Sequence, residues 1–152
     1  MVIGVISDTH GLMRPEALDA LQGSRLILHA GDIGSEEVLS QLQSIAPVVA
    51  VRGNTDRAPW AANLPWTEAV KIEGRLIYLL HDLAWLDLDP RSAGISVVIS
   101  GHSHNPEVET RDEVLYLNPG SAGHKRFRCP LTVGRLIFVD GEVRGEIFPL
   151  GI

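Results

Sequence analysis

Short apolar runs in this chain repeatedly end in residues that can hold a metal ion or move a proton. VIGVI is followed by Ser7-Asp8-Thr9-His10, LIL by His29-Ala30-Gly31-Asp32, and VVAV by Gly53-Asn54-Thr55-Asp56. LIYLL runs into His81, and SVVIS into Gly101-His102-Ser103-His104. Carboxylates, an amide and imidazoles in that number suit a pair of borderline divalent cations. Asp8 and His10 are two residues apart, as are His102 and His104, so in an extended segment both members of a pair reach the same side. Two divalent ions bring four positive charges, of which Asp8 and Asp32 neutralise two; even with a bridging hydroxide the site stays positive and draws an anionic substrate. Two-metal sites clamp the attacking and leaving oxygens of phosphoryl transfer and generate hydroxide near neutral pH, so no cysteine or serine nucleophile is needed.

The surrounding elements must bring these groups together. Val2 to Ile6 reads as a strand buried on both faces. Pro15 opens a helix whose Ala17, Leu18 and Leu21 recur at helical spacing until Gly23. Arg25 to Leu28 is a second strand. Ser35 is placed to cap a helix with Glu36 and Glu37 at its positive end and Val38, Leu39, Leu42 and Ile45 on one stripe. Pro47 ends that helix before a third strand over Val48 to Val51. This β-α-β-α-β opening predicts parallel strands joined by right-handed crossovers. From Thr67 the pattern becomes strand-rich: 67–72, 75–80, 95–100, 107–110, 113–118, 131–139 and 143–149. Glu73-Gly74, Arg111-Asp112 and Asp140-Gly141 read as hairpin turns. Only the stretch from about Leu83 to Gly94 leaves room for another, short helix. Parallel and hairpin segments in one small domain predict an α/β sandwich of two packed sheets with helices outside. Each polar cluster then sits beyond the carboxyl end of a strand, where ligands gather in such sheets. Gly31, Gly53 and Gly101 each precede a candidate ligand, where a sharp turn out of a strand calls for a permissive backbone.

Composition excludes several classes. At 152 residues and 45% hydrophobic, the chain is sized for one domain, 1–152, burying roughly two-thirds of its unfolded surface. No apolar run approaches the ~20 residues of a membrane span, so no membrane partner is expected. Met1 leads straight into VIGVI, which predicts no signal peptide. The single cysteine, Cys129, excludes an internal disulfide and points to a reducing, cytoplasmic setting. Net charge is −6. Lys125, Arg126 and Arg128 form the only basic cluster, a solvated loop or a local phosphate contact, so bulk nucleic acid is not the expected partner.

The order Asp-x-His, Gly-Asp, Gly-Asn-x-Asp, His, Gly-His-x-His, from Asp8 to His104, resembles the calcineurin-like metallophosphoesterase superfamily. The short length and Asn118-Pro119-Gly120-Ser121 are similar to its small, uncapped YfcE-like phosphodiesterase branch. The resemblance implies a four-layer αββα sandwich of two mixed sheets flanked by helices. It implies a first metal held by Asp8, His10 and His104, a second by Asn54, His81 and His102, and Asp32 bridging both. The ions would be manganese first, with nickel, iron or zinc as alternatives. A bridging hydroxide would attack phosphorus in line, with Asn54, Asp32 and His102 catalytic and Asn54 and His81 meeting the phosphate of a small phosphorylated substrate. Two departures stand out. Many members place a histidine directly after the motif asparagine, as the acid for the leaving group; here that residue is Thr55, which favours esters with good leaving groups. The small branch tends to show His-Gly-His where this chain has His81-Asp82-Leu83, so Asp82 could orient a ligand, contact a metal or face solvent. The segment Leu83 to Gly94 is short, leaving one wall of the site low. A phosphomonoesterase, or a metal-binding scaffold of the retromer-subunit type, are the competing readings.

Other residues have plainer roles. His29 is expected to be packed or to support a ligand, and His124 to lie on the surface. Asp56 is expected to hydrogen-bond its own loop, and Asn118 to Ser121 to form a turn near the site. Trp60 and Trp66, in a proline-containing loop, could line the pocket, pair subunits or simply pack. Self-association through that loop or a hairpin edge stays open.

Overall fold

The computed structural model describes residues 1–126 and 128–152. Ten strands form two five-stranded mixed sheets. The first has the order β10-β9-β1-β2-β3, built from β1 (Val2–Ile6), β2 (Leu26–His29), β3 (Val48–Ala50), β9 (Thr132–Val139) and β10 (Glu142–Pro149). The second runs β4-β5-β6-β8-β7, from β4 (Thr67–Ile72), β5 (Arg75–Leu80), β6 (Ile95–Ile99), β7 (Glu107–Arg111) and β8 (Val114–Asn118). β1, β2 and β3 pair in parallel, and so do β5, β6 and β8. Six strand ends therefore face one edge of the sandwich.

Apolar residues on the facing sides fill the space between the sheets: Ile3, Val5 and Leu28 from one, Ile77, Leu79, Val97, Ile99 and Leu117 from the other. The first sheet is covered outside by α1 (Pro15–Ala20) and α2 (Glu36–Gln43), through Ala17, Leu21, Val38 and Leu42. Both helices fall where the apolar spacing places them, although α1 stops at Ala20, short of Gly23. Ser35 takes the N-cap position of α2 with extended backbone, but its hydroxyl makes no capping bond.

Where the spacing left room for a helix, the stretch from Leu83 to Gly94 forms a 3-10 turn, Leu83–Trp85, and a second turn over 90–94 in which Ala93 N donates to Asp89 O. Asp82 caps the 3-10 turn by accepting from Ala84 N at 3.0 Å. From this stretch Leu83 and Leu86 pack on the outer face of the second sheet, over Leu80, Val98 and Val114 and beside Leu76, Tyr78 and Tyr116. The hairpin after β7 turns at Asp112-Glu113, both at positive φ, one residue later than Arg111-Asp112. Arg111 stays in the strand, 3.0 Å from Glu109, and this charged edge discourages pairing with another sheet. Among the described residues, no helix is long and apolar enough to cross a membrane.

Candidate metal centre

Two groups of ligand atoms lie at the shared strand edge. Asp8, His10 and His104 bring one atom each within 4.8 Å of one another, and so do Asp32, His81 and His102. Asp8 and His10 follow β1, Asp32 follows β2, His81 follows β5, and His102 and His104 follow β6. The backbone splices these loops together: Asp8 N donates to Gly31 O, His10 N to Asp32 O, and Gly101 N to His81 O, at 2.9–3.0 Å.

Each carboxylate is divided between scaffold and site. Asp8 Oδ2 accepts from Ser7 Oγ at 2.6 Å and from His102 N at 3.0 Å, which leaves Oδ1 facing His104 Nε2 (3.3 Å), His10 Nε2 (3.8 Å) and His81 Nε2 (4.0 Å). Asp32 Oδ1 accepts from Thr55 N at 3.0 Å, which leaves Oδ2 facing His81 Nε2 (3.2 Å) and His10 Nε2 (3.7 Å). Burial alone would raise both carboxyls. Hydrogen bonds and charge from His104 and Ser7 on Asp8, and from His81 and Thr55 on Asp32, hold each below its usual value.

His81 is fixed in the tautomer a ligand needs. Its Nδ1–H donates to Ala30 O at 2.7 Å, so Nε2 presents a lone pair toward two carboxylates. Burial works against charging this ring, but the carboxylates of Asp32, 3.2 Å from Nε2, and of Asp8 outweigh it and raise its pKa. His10 moves down, chiefly through burial. Asp8 Oδ1, His10 Nε2 and His81 Nε2 are buried and without a hydrogen-bond partner, and both nitrogens lie within 4.0 Å of Asp8 Oδ1. Unpaired buried polar atoms are costly, and three of them in one place fit a cation-binding site.

The backbone strain sits on the ligand candidates rather than on the glycines before them. Asp8, His10, Asp32, His102 and His104 have φ of 47–70°. Such conformations cost on the order of 1–3 kcal/mol each and persist where the surroundings over-determine them. Gly31 does need its positive φ of 98°, but Gly53 and Gly101 do not turn this way. They are required for close approach: a methyl on Gly53 would overlap Asp32, and one on Gly101 would overlap Ser7.

Asn54 stands exposed on the rim, between Gly53 and Thr55, both of which touch Asp32. His102 is also exposed, and Asp82 Oδ2 lies 3.7 Å from its Nε2, which places Asp82 beside the site. His124 is exposed, as expected. Asp56 does more than brace its own loop: it accepts from Gly53 N and also from Ile33 N and Gly34 N after β2. Asn118 ties the third loop, donating Nδ2 to Gly101 O (2.9 Å) and Ser103 Oγ (3.1 Å), while Ser121 Oγ donates to Asp8 O. An aspartate or asparagine in a turn signals only a local bond, so these cross-loop ties could not be read from spacing.

His29 is fully buried and supports the site. Gly31 N–H donates to its Nδ1, so Nε2–H donates to Thr9 Oγ1 at 3.0 Å, and Thr9 in turn donates to Ile33 O. Burial pulls its pKa down to about 4. The folded protein thus keeps His29 neutral while the unfolded chain takes up a proton below its ordinary value of 6.5. Stability from this group is complete above pH 6.5 and is lost as pH falls toward 4, a loss of about 3 kcal/mol. Denaturant unfolding across that window should show the wild type losing this much more than His29→Gln; parallel curves would remove His29 as the cause.

Two mixed sheets whose parallel strands deliver carboxylates and imidazoles to one edge define an α/β sandwich of the metal-dependent hydrolase class. The model of the calcineurin-like phosphoesterase superfamily domain matches residues 1–141, and the chain belongs to that superfamily. A probable metallophosphoesterase of Methanocaldococcus jannaschii is 36% identical over 163 residues, covering 99% of this chain and 82% of that protein. The phosphodiesterase YfcE of Escherichia coli (strain K12) is 28% identical over 166 residues, covering 93% and 88%. Among solved structures, an archaeal phosphodiesterase superimposes with a TM-score of 0.81 at 25% identity, over 97% of this chain and 100% of that one. Vps29 of Entamoeba histolytica, complexed with Zn²⁺, gives 0.74 at 26% identity, over 99% and 100%.

Proposed function

We propose that this chain, acting as one cytoplasmic domain, is a two-metal phosphodiesterase of small phosphorylated substrates. Asp8, His10 and His104 would hold one divalent cation, Asn54, His81 and His102 the other, with Asp32 shared. Manganese is the favoured ion, and nickel, iron or zinc would suit the same oxygen and imidazole donors. When bound, such a pair supplies Lewis acidity to a phosphoryl group and acidifies water. The observation that carries the reading is the set of three buried, unpaired ligand atoms, Asp8 Oδ1, His10 Nε2 and His81 Nε2, converging from the loops after β1 and β5.

The chain's own residues do the rest. Thr55 N–H and Ser7 Oγ each occupy one carboxylate oxygen, so Asp32 and Asp8 stay ionised and aim the other oxygen inward. Ala30 O holds the His81 ring, and Asn118 holds the loop carrying His102 and His104. Asn54 would meet the phosphate from the exposed rim and His81 from the buried floor. The positive charge of Arg126 reaches His10, which adds to the attraction for an anion. The short wall at Leu83–Trp85 leaves space for the second arm of a diester. With Thr55 in place of a leaving-group acid, esters of acidic alcohols should turn over fastest. Cys129 is the single thiol, in keeping with a reducing compartment.

Protein stripped with chelator and resupplied with Mn²⁺, Ni²⁺, Fe²⁺ or Zn²⁺ should hydrolyse bis-p-nitrophenyl phosphate faster than p-nitrophenyl phosphate. Preference for the monoester would make it a phosphomonoesterase. Metal binding without turnover of either would favour a protein-binding scaffold, the reading that the likeness to Vps29 supports.

A further inference from the structure

Trp66 and Trp85 stand 49% and 40% exposed on the rim of the site, a costly way to place two large aromatic rings. Their rings meet edge to face at 5.6 Å. Trp85 follows His81 closely in the chain, and its ring centroid lies 6.1 Å from the His81 imidazole. Trp66 immediately precedes β4, whose Thr67 pairs with Leu80, the residue before His81. Both rings therefore flank a member of the second ligand cluster.

The pair is built rather than loose. Trp85 N donates to Asp82 O at 2.9 Å inside a turn that the Asp82 side chain caps. The Arg52 guanidinium lies 4.7 Å above the Trp66 ring. Arg52 is itself held, its Nε donating to Asp56 O and its backbone N to Pro65 O, each at 2.8 Å. Trp60, by contrast, packs into the core under the helices, so the loop's tryptophans divide between packing and exposure. Trp66, Thr67 and Trp85 line an open, shallow, apolar depression, a surface on which a flat ring can lie.

We propose that Trp66 and Trp85 form a stacking platform for a planar aromatic ring, a nucleobase or an aryl group, carried by the substrate ester. The inference rests on the phosphodiesterase reading of the adjacent clusters. A phosphate drawn to those clusters would bring the ring of its ester arm against the face of one indole and the edge of the other, since the two stand 83° apart. Arg52 supplies positive charge beside the platform, complementary to an anionic ester. Stacking of this kind tolerates different bases, because each presents a π-face.

The test keeps the scissile bond constant and changes only the arm that is not released. The p-nitrophenyl esters of thymidine 5′-phosphate, phenyl phosphate and methyl phosphate share one leaving group. With Mn²⁺-loaded protein, kcat/KM should be higher for the two ring-bearing arms. Trp66→Ala should erase on the order of tenfold of that preference, the scale of one lost base–aromatic stack, mainly through KM, with Trp66→Phe restoring most of it. A thymidine arm preferred over phenyl assigns a nucleoside ester; equal preference assigns a simple aryl ring. Independently of turnover, thymidine 5′-monophosphate should quench tryptophan fluorescence of the Zn²⁺-loaded wild type more than methyl phosphate does, and less so in Trp66→Ala. If no ester is hydrolysed, the phosphodiesterase reading fails while the quenching still reports on the platform. If all three esters are hydrolysed alike and Trp66→Ala affects them equally, the platform is overturned and the reading stands. A dimer that dissociates in Trp66→Ala, without arm preference, would also overturn it and assign the pair to self-association.

Discussion

Asp32→Asn should abolish Mn²⁺-restored hydrolysis of bis-p-nitrophenyl phosphate, with a loss on the order of 10³-fold or more. The reason lies in how the carboxylate is divided. Oδ1 is committed to Thr55 N–H, and asparagine can keep that bond only by turning its amide oxygen there. Its NH₂ group then faces His81 Nε2 and His10 Nε2, in place of the oxygen now 3.2 and 3.7 Å from them. A donor would point where a cation is expected, and the site would lose a negative charge as well. Metal-free stability should fall as well. His81 and Thr55 hold the Asp32 carboxyl below its usual value, so its ionised form stabilises the fold at neutral pH, and Asp32→Asn should lower the melting temperature of the metal-free protein. Mn²⁺ should raise the melting temperature of the wild type by mass action and barely move that of Asp32→Asn. A variant that still turns over and is still stabilised by Mn²⁺ would remove Asp32 from the centre.

Asp56→Ala should be the most damaging substitution for the fold itself. The carboxylate is buried and accepts from Ile33 N (3.0 Å), Gly34 N (3.1 Å) and Gly53 N (2.9 Å), clamping the loop after β2 to the loop after β3. Alanine leaves two buried N–H groups, those of Ile33 and Gly53, and the part-buried one of Gly34 without an acceptor. Each such orphan costs about 1–3 kcal/mol, and incomplete relaxation makes a total of about 3–5 kcal/mol reasonable. The melting temperature should fall by on the order of 10 °C. Asp32 stands beside Ile33, and Asn54 beside Gly53, so the freed loops should also weaken Mn²⁺ affinity by about 10–100-fold, the usual scale for a residue that positions ligands. Calorimetry of metal-free protein and a Mn²⁺ titration measure the two effects. Stability within about 1 kcal/mol of wild type would show that the clamp is dispensable.

The site therefore combines strain with over-determination. Five ligand candidates hold left-handed backbone, and the ties from Ser7, Thr55, Asp56, Asn118 and Ser121 keep them there. A metal-free protein bears both the strain and the unpaired donors, so loading should add markedly to stability.

Much of this was written in the chain. Strand identity was legible because β-branched, apolar runs such as VIGVI and LIYLL are short and bounded by polar turns, a local property. The convergence of Asp8, His10, Asp32, His81, His102 and His104 followed from strand direction, since parallel strands must present the same ends on one edge. The hairpins at Glu73-Gly74 and Asp140-Gly141 were equally local, both carrying the positive φ that such turns need. Tertiary structure alone decided the rest. The stretch after His81 had the length for a helix but broke into a capped 3-10 turn and a second turn over 90–94, with Leu83 and Leu86 finding their burial directly on the second sheet. Gly53 and Gly101 were readable as glycines that matter, but the cause proved to be the approach of Asp32 and Ser7 from distant segments. The cross-loop role of Asp56, the tautomer of His81 and the pairing of Trp66 with Trp85 arise between residues far apart in sequence or held by backbone carbonyls. Spacing fixes which face a residue shares with its neighbours; which atom meets which across a fold is set only when the sheets pack.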